Sequence, residues 1–290
     1  MTRHWSPAFI AAAIVAILAA LIVRALRGET GRLPDGRTVN LAHRGDSDSF
    51  PENTLAAFEA GVSAGADGLE LDVHMTRDGY IVVIHDDTVD RTTNGAGLVR
   101  DMTIIGLRDL DAGYWFSPEN GYPHRGRGLY ASTLSEVLNR FPQAFVNLEI
   151  KEARPGIEAV VLDVIRSAGA QDRVVVAAAN HRIMRRFRKV SGGRVSTSAS
   201  QLEIRVFYLF SRLRLERLLR PSYDALQVPP RYGSVTVVTP RFVEAAHRLG
   251  VRVDVWTINN PVEMRRLLEF GADTIMTDRP GELSKVLAGS

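Results

Sequence analysis

The sequence predicts an α/β fold, specifically a (β/α)8 TIM barrel with an inserted segment and an N-terminal transmembrane helix. Three observations predict it. Short β-branched runs alternate with helical segments after residue 38, eight such runs can be counted, and a long aliphatic stretch precedes them. Alternating strands and helices are typical of parallel βα units. Eight strands in about 250 residues match a closed barrel.

The aliphatic stretch is the first element of the chain. No charged residue occurs between Pro7 and Val23, where the sequence is AFIAAAIVAILAALIV after the proline. As a helix rising about 1.5 Å per residue, this run approaches the thickness of a hydrocarbon core. A cleaved signal peptide is the alternative, but no small-residue cleavage site follows the run. The pattern therefore favours an uncleaved membrane anchor.

This interpretation divides the chain into three parts. We expect a membrane anchor and its flank at residues 1–30, a linker at 31–38, and a catalytic barrel at 39–290. The expected localisation is the cell membrane, with a single-pass N-terminal anchor. Arg24 and Arg27 directly follow the span, and basic residues favour the cytoplasmic side. The side stays open on this pattern, with a cytoplasmic barrel favoured.

The barrel elements follow in order from residue 39. The predicted strands are Val39–His43, Gly68–Val73, Phe145–Lys151, Arg173–Ala177, Arg194–Ser198, Asp224–Val228, Val251–Thr257 and Thr274–Thr277. The predicted helices are Thr54–Ala64, Thr133–Arg140, Ile157–Ala168, His181–Lys189, Pro240–Leu249 and Pro261–Phe270. Asn53 or Thr54 is a suitable N-cap for the first helix.

One additional run, Tyr80–His85, begins too soon after the second strand for a parallel crossover. An Asp-Gly dipeptide lies between the two runs, and this pair is typical of a two-residue hairpin turn. We therefore expect the second strand to fold back on itself, with Arg77 opposite Tyr80. Cross-strand partners share a face. The residues that this register places on one face are Glu70, Asp72 and His85.

Two segments depart from the repeat. Residues 87–132 are rich in glycine, asparagine and aromatic residues, and we expect them to form an insertion over the catalytic end of the barrel, where loops set specificity. Residues 201–220 interleave apolar residues with five arginines. They are interpreted either as an amphipathic barrel helix buried on one face or as a helix at a lipid interface.

Composition excludes several classes of function. Charged residues make up 24% of the chain and hydrophobic residues 45%, with a net charge of +3. These values are typical of a globular protein, and the small positive excess does not indicate nucleic-acid binding. The chain has no cysteine, which excludes disulfides, a thiolate metal site and a cysteine nucleophile.

Polar residues collect at the carboxyl ends of the predicted strands, where TIM barrels build their active sites. They are His43 and Arg44, Glu70 and Asp72, His85, and Glu149 and Lys151. Three carboxylates without thiolates suit Ca²⁺ or Mg²⁺. Two histidines can act as general acid and base near neutral pH. Each residue alone is more often structural, but the set converging on one rim indicates a phosphoryl-transfer site.

Five segments carry a family resemblance. LAHRGDSDSFPENTLAAFEAG, GADGLELDVHMTRDGYIVVIHDDTVDRTTNG, NLEIK, VWTINN and TDRP occur in that order between about residues 39 and 283. They resemble the signature segments of the glycerophosphodiester phosphodiesterase family. The resemblance implies a divalent cation, Ca²⁺ or Mg²⁺, held by three carboxylates, with two histidines as the acid–base pair. The implied metal ligands and histidines are Glu70, Asp72, Glu149, His43 and His85.

The same resemblance implies four further roles. Arg44 and Lys151 would hold the phosphate, Trp256 would line the pocket, and Glu52 would support the site from nearby. The implied reaction is metal-dependent hydrolysis of a glycerophosphodiester to an alcohol and glycerol 3-phosphate. In that reaction a neighbouring glycerol hydroxyl attacks phosphorus through a cyclic intermediate.

Two alternatives remain open at this point. The first is a lysophospholipase D acting on membrane lysophospholipids through the same site, and the second, more remote, is a non-catalytic lipid- or phosphate-binding module. The expected partners are a small-molecule phosphodiester or lysolipid substrate and the membrane. No nucleic acid or protein partner is implied. The sequence leaves the head group and the choice of metal undecided.

Overall fold

The structure is a computed structural model that describes residues 37–289. The strands are β1 (Val39–His43), β2 (Gly68–Met75), β3 (Ile81–Val83), β4 (Phe145–Ile150), β5 (Val174–Ala177), β6 (Ser196–Thr197), β7 (Ala225–Val228), β8 (Arg231–Tyr232), β9 (Val235–Thr236), β10 (Arg252–Val255) and β11 (Thr274–Thr277). The helices are α1 (Leu55–Ser63), α2 (Ile104–Arg108), α3 (Leu134–Arg140), α4 (Ile157–Ser167), α5 (His181–Ser191), α6 (Gln201–Arg212), α7 (Pro240–His247), α8 (Pro261–Glu269) and α9 (Pro280–Ala288).

Eight of these strands form the barrel. Their spatial order is β6-β5-β4-β2-β1-β11-β10-β7, and all neighbouring pairs are parallel. A parallel bridge between Ser198 and Ala225 joins the two ends of this path, and the Asp224 amide donates to the Thr197 carbonyl at 2.8 Å. The predicted (β/α)8 barrel is therefore confirmed, with the closure between β6 and β7 made by very few residues.

Local sequence explains where the helices begin. The Thr54 side chain accepts a hydrogen bond from the Ala57 amide and caps α1, as a threonine at this position should. Thr133 and Ser200 begin α3 and α6 with complete capping boxes, in which side chain and backbone satisfy one another. The predicted strands and helices agree with the structure to within two residues at nearly every end. The helices α2 and α9 and the small β8-β9 hairpin were not predicted.

The β2-β3 hairpin is antiparallel, as predicted, but its register differs by one residue. His74 lies opposite Val82 instead of Val83, and the Thr76 amide donates to the Tyr80 carbonyl. The turn therefore contains three residues, and its third residue, Gly79, has φ +88°. A positive φ at this position of a three-residue loop is readily adopted only by glycine. The prediction of a two-residue turn was wrong.

The predicted transmembrane helix and membrane localisation require correction. Within residues 37–289, no helix is both long and apolar enough to cross a membrane. The longest helix of this part, α6, has 12 residues, or about 18 Å, whereas a hydrocarbon core is about 30 Å thick. The run on which the anchor was predicted lies outside the described residues. The fold class is therefore corrected to the barrel with its inserted segment, and the single-pass anchor is withdrawn.

The inserted segment between β3 and α3 contains α2 and two short 3₁₀ turns, Val99–Asp101 and Pro118–Asn120. Its apolar residues form a small core of their own against the hairpin. The members of this core are Val82, Ile84, Val89, Val99, Ile104, Leu107 and Ala131. This separate core holds the segment against the rim of the barrel without adding a strand to it.

Candidate active site

A cavity of about 330 Å³ opens at the carboxyl ends of the barrel strands. Eight of the nine residues predicted from the sequence line it. They are His43, Arg44, Glu70, Asp72, His85, Glu149, Lys151 and Trp256. The ninth, Glu52, lies behind Arg44 and does not line the cavity. Parallel strands all end at one rim, which brings side chains from four distant parts of the sequence together.

Three carboxylates form the acidic part of the cavity. One oxygen each of Glu70, Asp72 and Glu149 lies within 4.8 Å of the others, because Asp72 and Glu149 are register partners on β2 and β4. Glu70 and Asp72 are buried. Burial, reinforced by Asp72, raises the pKa of Glu70 to about 8. Three buried or half-buried oxygens this close favour a bound cation, and hard oxygen donors suit Ca²⁺ or Mg²⁺.

His43 is held from behind by a carboxylate. Its Nδ1 lies 2.6 Å from Asp278 Oδ1, and its Nε2 lies 3.9 Å from Glu70 Oε2. Burial raises the pKa of Asp278, but the bonds from His43 and Asn259 outweigh it and lower that pKa to about 2. Asp278 is therefore a carboxylate that only accepts, so Nδ1 of His43 carries the proton. Nε2 is left facing the acidic residues.

The charge on His43 follows from its neighbours. Burial lowers the pKa of this imidazole, but the charge of Glu70 and the hydrogen bond with Asp278 outweigh it, and the net shift is upward. The charge of Arg44 opposes this rise without reversing it. His43 therefore holds its second proton more tightly than a free imidazole does, and in the protonated form it can donate that proton from Nε2.

His85 has the same arrangement but a different neighbour at Nε2. Its Nδ1 lies 2.6 Å from Asp86 Oδ1, and hydrogen bonds from Arg91 and His85 hold the pKa of Asp86 well below its usual value. Its Nε2 lies 3.1 Å from Lys151 Nζ. An ammonium group can only donate, so Nε2 of His85 accepts and is unprotonated. His85 is thus set up as a base.

Lys151 also reaches the acidic residues. Its Nζ lies 3.2 Å from Glu149 Oε2 and 3.5 Å from Asp72 Oδ1. Burial lowers the pKa of this amine, but Glu149 and Asp72 outweigh it and raise the pKa overall. Lys151 is therefore charged at neutral pH, in a position to meet an anion bound beside the carboxylates.

Arg44 depends on the glycine after it. Gly45 has φ +91°, and a Cβ there would lie 2.5 Å from the carbonyl carbon of Ala57, so only glycine fits between β1 and α1. The tight turn directs Arg44 across the site, where its Nε lies 3.2 Å from Asp72 Oδ2 and its NH1 donates to Glu52 Oε1 at 2.9 Å. The His-Arg-Gly order thus has a steric cause.

A residue of the insertion completes this network. Arg91 donates from Nε to Asp86 Oδ2 at 2.6 Å, and from NH1 and NH2 to the two oxygens of Glu52 at 2.8 Å each. Because Glu52 also accepts from Arg44, ion pairs run unbroken from Asp86 to Arg44. The partner of His85 and the arginine beside Asp72 are therefore fixed by one side chain, Arg91.

Sequence reasoning assigned no role to four residues that position the site. They are Asp86, Arg91, Asn259 and Asp278. Asp278 directly follows the last barrel strand, so its place at the carboxyl rim could have been predicted. Asn259 donates to Asp278 at 2.6 Å. Arg91 has no such position at a strand end, because an irregular loop places it, and only its place in the second family segment could have indicated it. His85 reaches the cavity because the chain leaves β3 at Val83, and not through the predicted register.

The fold and this site define a TIM-barrel protein with an acidic cluster, two oriented histidines and two basic side chains at its mouth. This arrangement is suited to binding and cleaving a phosphate ester. A model of the glycerophosphoryl diester phosphodiesterase family matches residues 43–282. The chain belongs to this family, and it is a phosphoric diester hydrolase.

Similar proteins support this assignment. The chain is 37% identical over 257 residues to the glycerophosphodiester phosphodiesterase of Caldanaerobacter subterraneus subsp. tengcongensis, covering 85% of this chain and 96% of the relative. It is 29% identical over 277 residues to a Bacillus subtilis protein of the same name, covering 88% of each.

Solved structures show the same fold. The glycerophosphodiester phosphodiesterase from Agrobacterium tumefaciens superposes with a TM-score of 0.70 at 26% identity, covering 86% of this chain and 99% of that one. An Oleispira antarctica phosphodiesterase in complex with the product sn-glycerol-3-phosphate superposes with a TM-score of 0.69 at 26% identity, covering 87% and 97%.

Proposed function

We propose that this enzyme hydrolyses glycerophosphodiesters to an alcohol and glycerol 3-phosphate with the help of a divalent cation. The observation that carries the proposal is the pair of histidines, each held at Nδ1 by an aspartate and directing Nε2 into the cavity. The same cavity contains three carboxylates and two basic side chains. Such a cavity offers a proton acceptor, a proton donor and positive charge for a phosphate.

The metal would be held by Glu70, Asp72 and Glu149. A bound Ca²⁺ or Mg²⁺ supplies positive charge that polarises a phosphoryl oxygen and stabilises the negative charge of the transition state. The three carboxylates fit this role, since their oxygens lie within 4.8 Å of one another and burial, reinforced by Asp72, disfavours the charged form of Glu70 when no cation is bound.

The two histidines divide the proton transfers. His85, whose Nε2 accepts from Lys151, takes the proton of the glycerol hydroxyl next to the phosphate, and that oxygen then bonds to phosphorus. His43, with its raised pKa, gives its Nε2 proton to the leaving alcohol as the original P–O bond breaks. Water then opens the cyclic diester with the two roles reversed, which returns both histidines to their starting forms.

Arg44 and Lys151 bind the phosphate during these steps. Both are charged and reach the cavity beside the carboxylates, and a guanidinium and an ammonium stabilise the spreading negative charge of the transition state. Trp256, which is 42% exposed, offers an apolar wall for the rest of the substrate.

A direct product assay tests this function. Purified enzyme is freed of metal by dialysis against EDTA, then supplied with Ca²⁺ or Mg²⁺ and glycerophosphocholine. We expect equal amounts of choline and glycerol 3-phosphate only in the metal-containing samples. Release of phosphocholine and glycerol instead would place the cleaved bond on the other side of phosphorus and contradict the proposal.

A second candidate uses the same site on lysophospholipids, as a lysophospholipase D. It is favoured by one observation, the exposed leucine side chains on α6, whose first turn borders the cavity. A lysophospholipid retains the free hydroxyl that the proposed reaction needs. Comparing kcat/KM on lysophosphatidylcholine with that on glycerophosphocholine decides between the two substrates.

A further inference from the structure

The outward face of α6 is apolar. Leu202, Val206, Leu209 and Leu213 are 53%, 39%, 55% and 58% exposed. At about 100° per residue, these four positions fall within roughly 60° of arc on the helix surface. The opposite face packs into the protein core, where Phe207 is buried against Phe242 with ring centroids 5.1 Å apart. The exposed residues are therefore a second apolar face and not part of the core.

This apolar face continues past the helix and has a basic border. Leu215 and Leu218, 44% and 69% exposed, extend it along the following residues. Its arginines make no salt bridge with any carboxylate between residues 37 and 289. These arginines are Arg205, Arg212, Arg214 and Arg217. We call the four arginines and six aliphatic residues together the α6 surface.

The two glutamates between residues 201 and 218 do not neutralise the positive charge of the α6 surface. Glu203 forms a salt bridge of 2.7 Å with Arg188, and Glu216 one of 2.8 Å with Arg241. Both pairs point into the protein, since Glu203 is half-buried and Glu216 is buried. The α6 surface is therefore positively charged and apolar at once.

The α6 surface also adjoins the active site. Gln201 and Ile204, in the first turns of α6, line the catalytic cavity, and Leu202 lies between them on the exposed side. Anything bound to the α6 surface would thus border the opening through which substrate enters.

We propose that the α6 surface docks on an anionic lipid surface, with the aliphatic residues entering the acyl boundary and the arginines meeting the lipid phosphates. This is a peripheral contact and differs from the spanning anchor withdrawn above. Helices with an apolar face and a basic border bind lipid surfaces in this way. A second copy of the chain is disfavoured as the occupant, because symmetric contact would place arginines against arginines. The proposal goes beyond the proposed reaction and does not depend on it.

The chain has no cysteine, so one introduced cysteine gives a single labelling site in the full chain. The test variant is Leu209→Cys, labelled with an environment-sensitive nitrobenzoxadiazole group. The matched control is Val62→Cys on α1, which is 41% exposed. Both labels lie on helices that follow a barrel strand, α1 after β1 and α6 after β6. These two strands are four apart in the eight-strand ring, so the control label lies on the opposite side of the barrel.

Vesicles of phosphatidylglycerol and phosphatidylcholine are then added, with pure phosphatidylcholine vesicles in parallel. We expect the emission of the Leu209→Cys label to shift to shorter wavelength with the anionic vesicles, and high salt to weaken this response. The Val62→Cys label should not respond. Equal responses at both positions, or none at position 209, would overturn the proposal. A shift without vesicles that grows with protein concentration would assign the α6 surface to a second copy instead.

A second variant tests whether lipid binding requires the arginines of the α6 surface. Changing Arg212, Arg214 and Arg217 to glutamine in the labelled Leu209→Cys protein should weaken binding to anionic vesicles by on the order of fivefold per residue. The matched control changes three exposed arginines elsewhere, Arg100, Arg127 and Arg265. If both sets weaken binding equally, the attraction belongs to the whole protein and the proposed surface is wrong. Hydrolysis of glycerophosphocholine should be unchanged in both sets, which separates this test from that of the reaction.

Discussion

Asp278 Oδ1 lies 2.6 Å from Nδ1 of His43, and the same distance separates Asp86 Oδ1 from Nδ1 of His85. His43 ends β1 and His85 lies two residues after β3, yet each has a carboxylate on the same ring nitrogen. A carboxylate at Nδ1 fixes the ring orientation and leaves Nε2 for proton exchange. This shared arrangement gives the first prediction.

Asp278→Asn should lower kcat at least about tenfold, since the amide no longer holds the correct tautomer of His43. The hydrogen bond with Asp278 helps to raise the pKa of His43, so its loss lowers that pKa. His43 acts as the acid, and the fall of kcat at high pH should therefore begin at lower pH in the variant. Asp273→Asn is the control, because Asp273 pairs with His247 at 2.8 Å outside the cavity. An unchanged pH profile in Asp278→Asn would contradict the assignment of His43 as acid.

His43→Ala and His85→Ala should each reduce kcat by about 10²- to 10⁴-fold, the usual contribution of a general acid or base. Because the two residues act in one sequence of proton transfers, the double variant should lose much less than the product of the single losses. Circular dichroism checks the fold of each variant, and His247→Ala serves as the control. Strictly multiplicative losses would mean that the histidines act independently.

Chelation should abolish turnover, and so should Asp72→Asn or Glu149→Gln, because each removes charge or an oxygen donor from the proposed metal site. Isothermal titration with Mg²⁺ or Ca²⁺ should detect binding to the native protein and not to the variants. Glu244→Gln, at an exposed position on α7, is the control. Full activity after exhaustive dialysis against EDTA would rule out the proposed metal dependence.

The metal-free protein should show a pH-dependent stability that originates at Glu70. The pKa of this group is raised to about 8 in the folded protein from an ordinary value of 4.5, so the folded state binds the proton more tightly than the unfolded state. Its contribution to stability is complete below about pH 4.5 and is lost as pH rises through about 8. The Tm difference between native protein and Glu70→Gln should therefore change over this range, and a saturating divalent cation should remove the dependence. If this Tm difference does not change with pH in the absence of metal, the pH dependence of stability does not originate at Glu70.

Arg91→Lys should lower kcat about as much as Arg91→Ala, by about 10- to 100-fold. An ammonium cannot form two-pronged bonds with Glu52 and Asp86 at once, whereas the guanidinium of Arg91 bonds to both. Arg100→Lys, in the same insertion, should have no effect. Full rescue by lysine would show that only the charge at position 91 matters, and not the bridging geometry.

Diacyl phosphatidylcholine should not be cleaved, whereas glycerophosphocholine should. The proposed reaction needs a free hydroxyl next to the phosphate, and acylation of that hydroxyl removes the attacking oxygen. Choline release from each lipid in detergent micelles measures the difference. Choline release from the diacyl lipid would contradict attack by the neighbouring hydroxyl.

The sequence by itself determined the barrel and eight of the residues that line the cavity at its mouth. Strand and helix periods depend on local patterns of side chains, and parallel strands necessarily end at one rim. For this reason the order of residues along the chain was enough to place His43, Glu70, Asp72, Glu149 and Lys151 at the same mouth. Arg44, directly after the first strand, follows from the same argument, and the family segments added Trp256; both line the cavity.

The tertiary structure decided what each of those groups contacts. Hairpin register depends on the conformation of one turn, and the three-residue loop ending at Gly79 shifted every β2-β3 pair by one. Arg91 lies 39 residues from its partner Glu52, in a loop with no periodic pattern. The imidazoles of His43 and His85 contact Asp278 and Lys151 respectively, which are far from them in sequence. Such contacts arise only when the folded barrel brings the segments together, because distance in space and burial set the electrostatics.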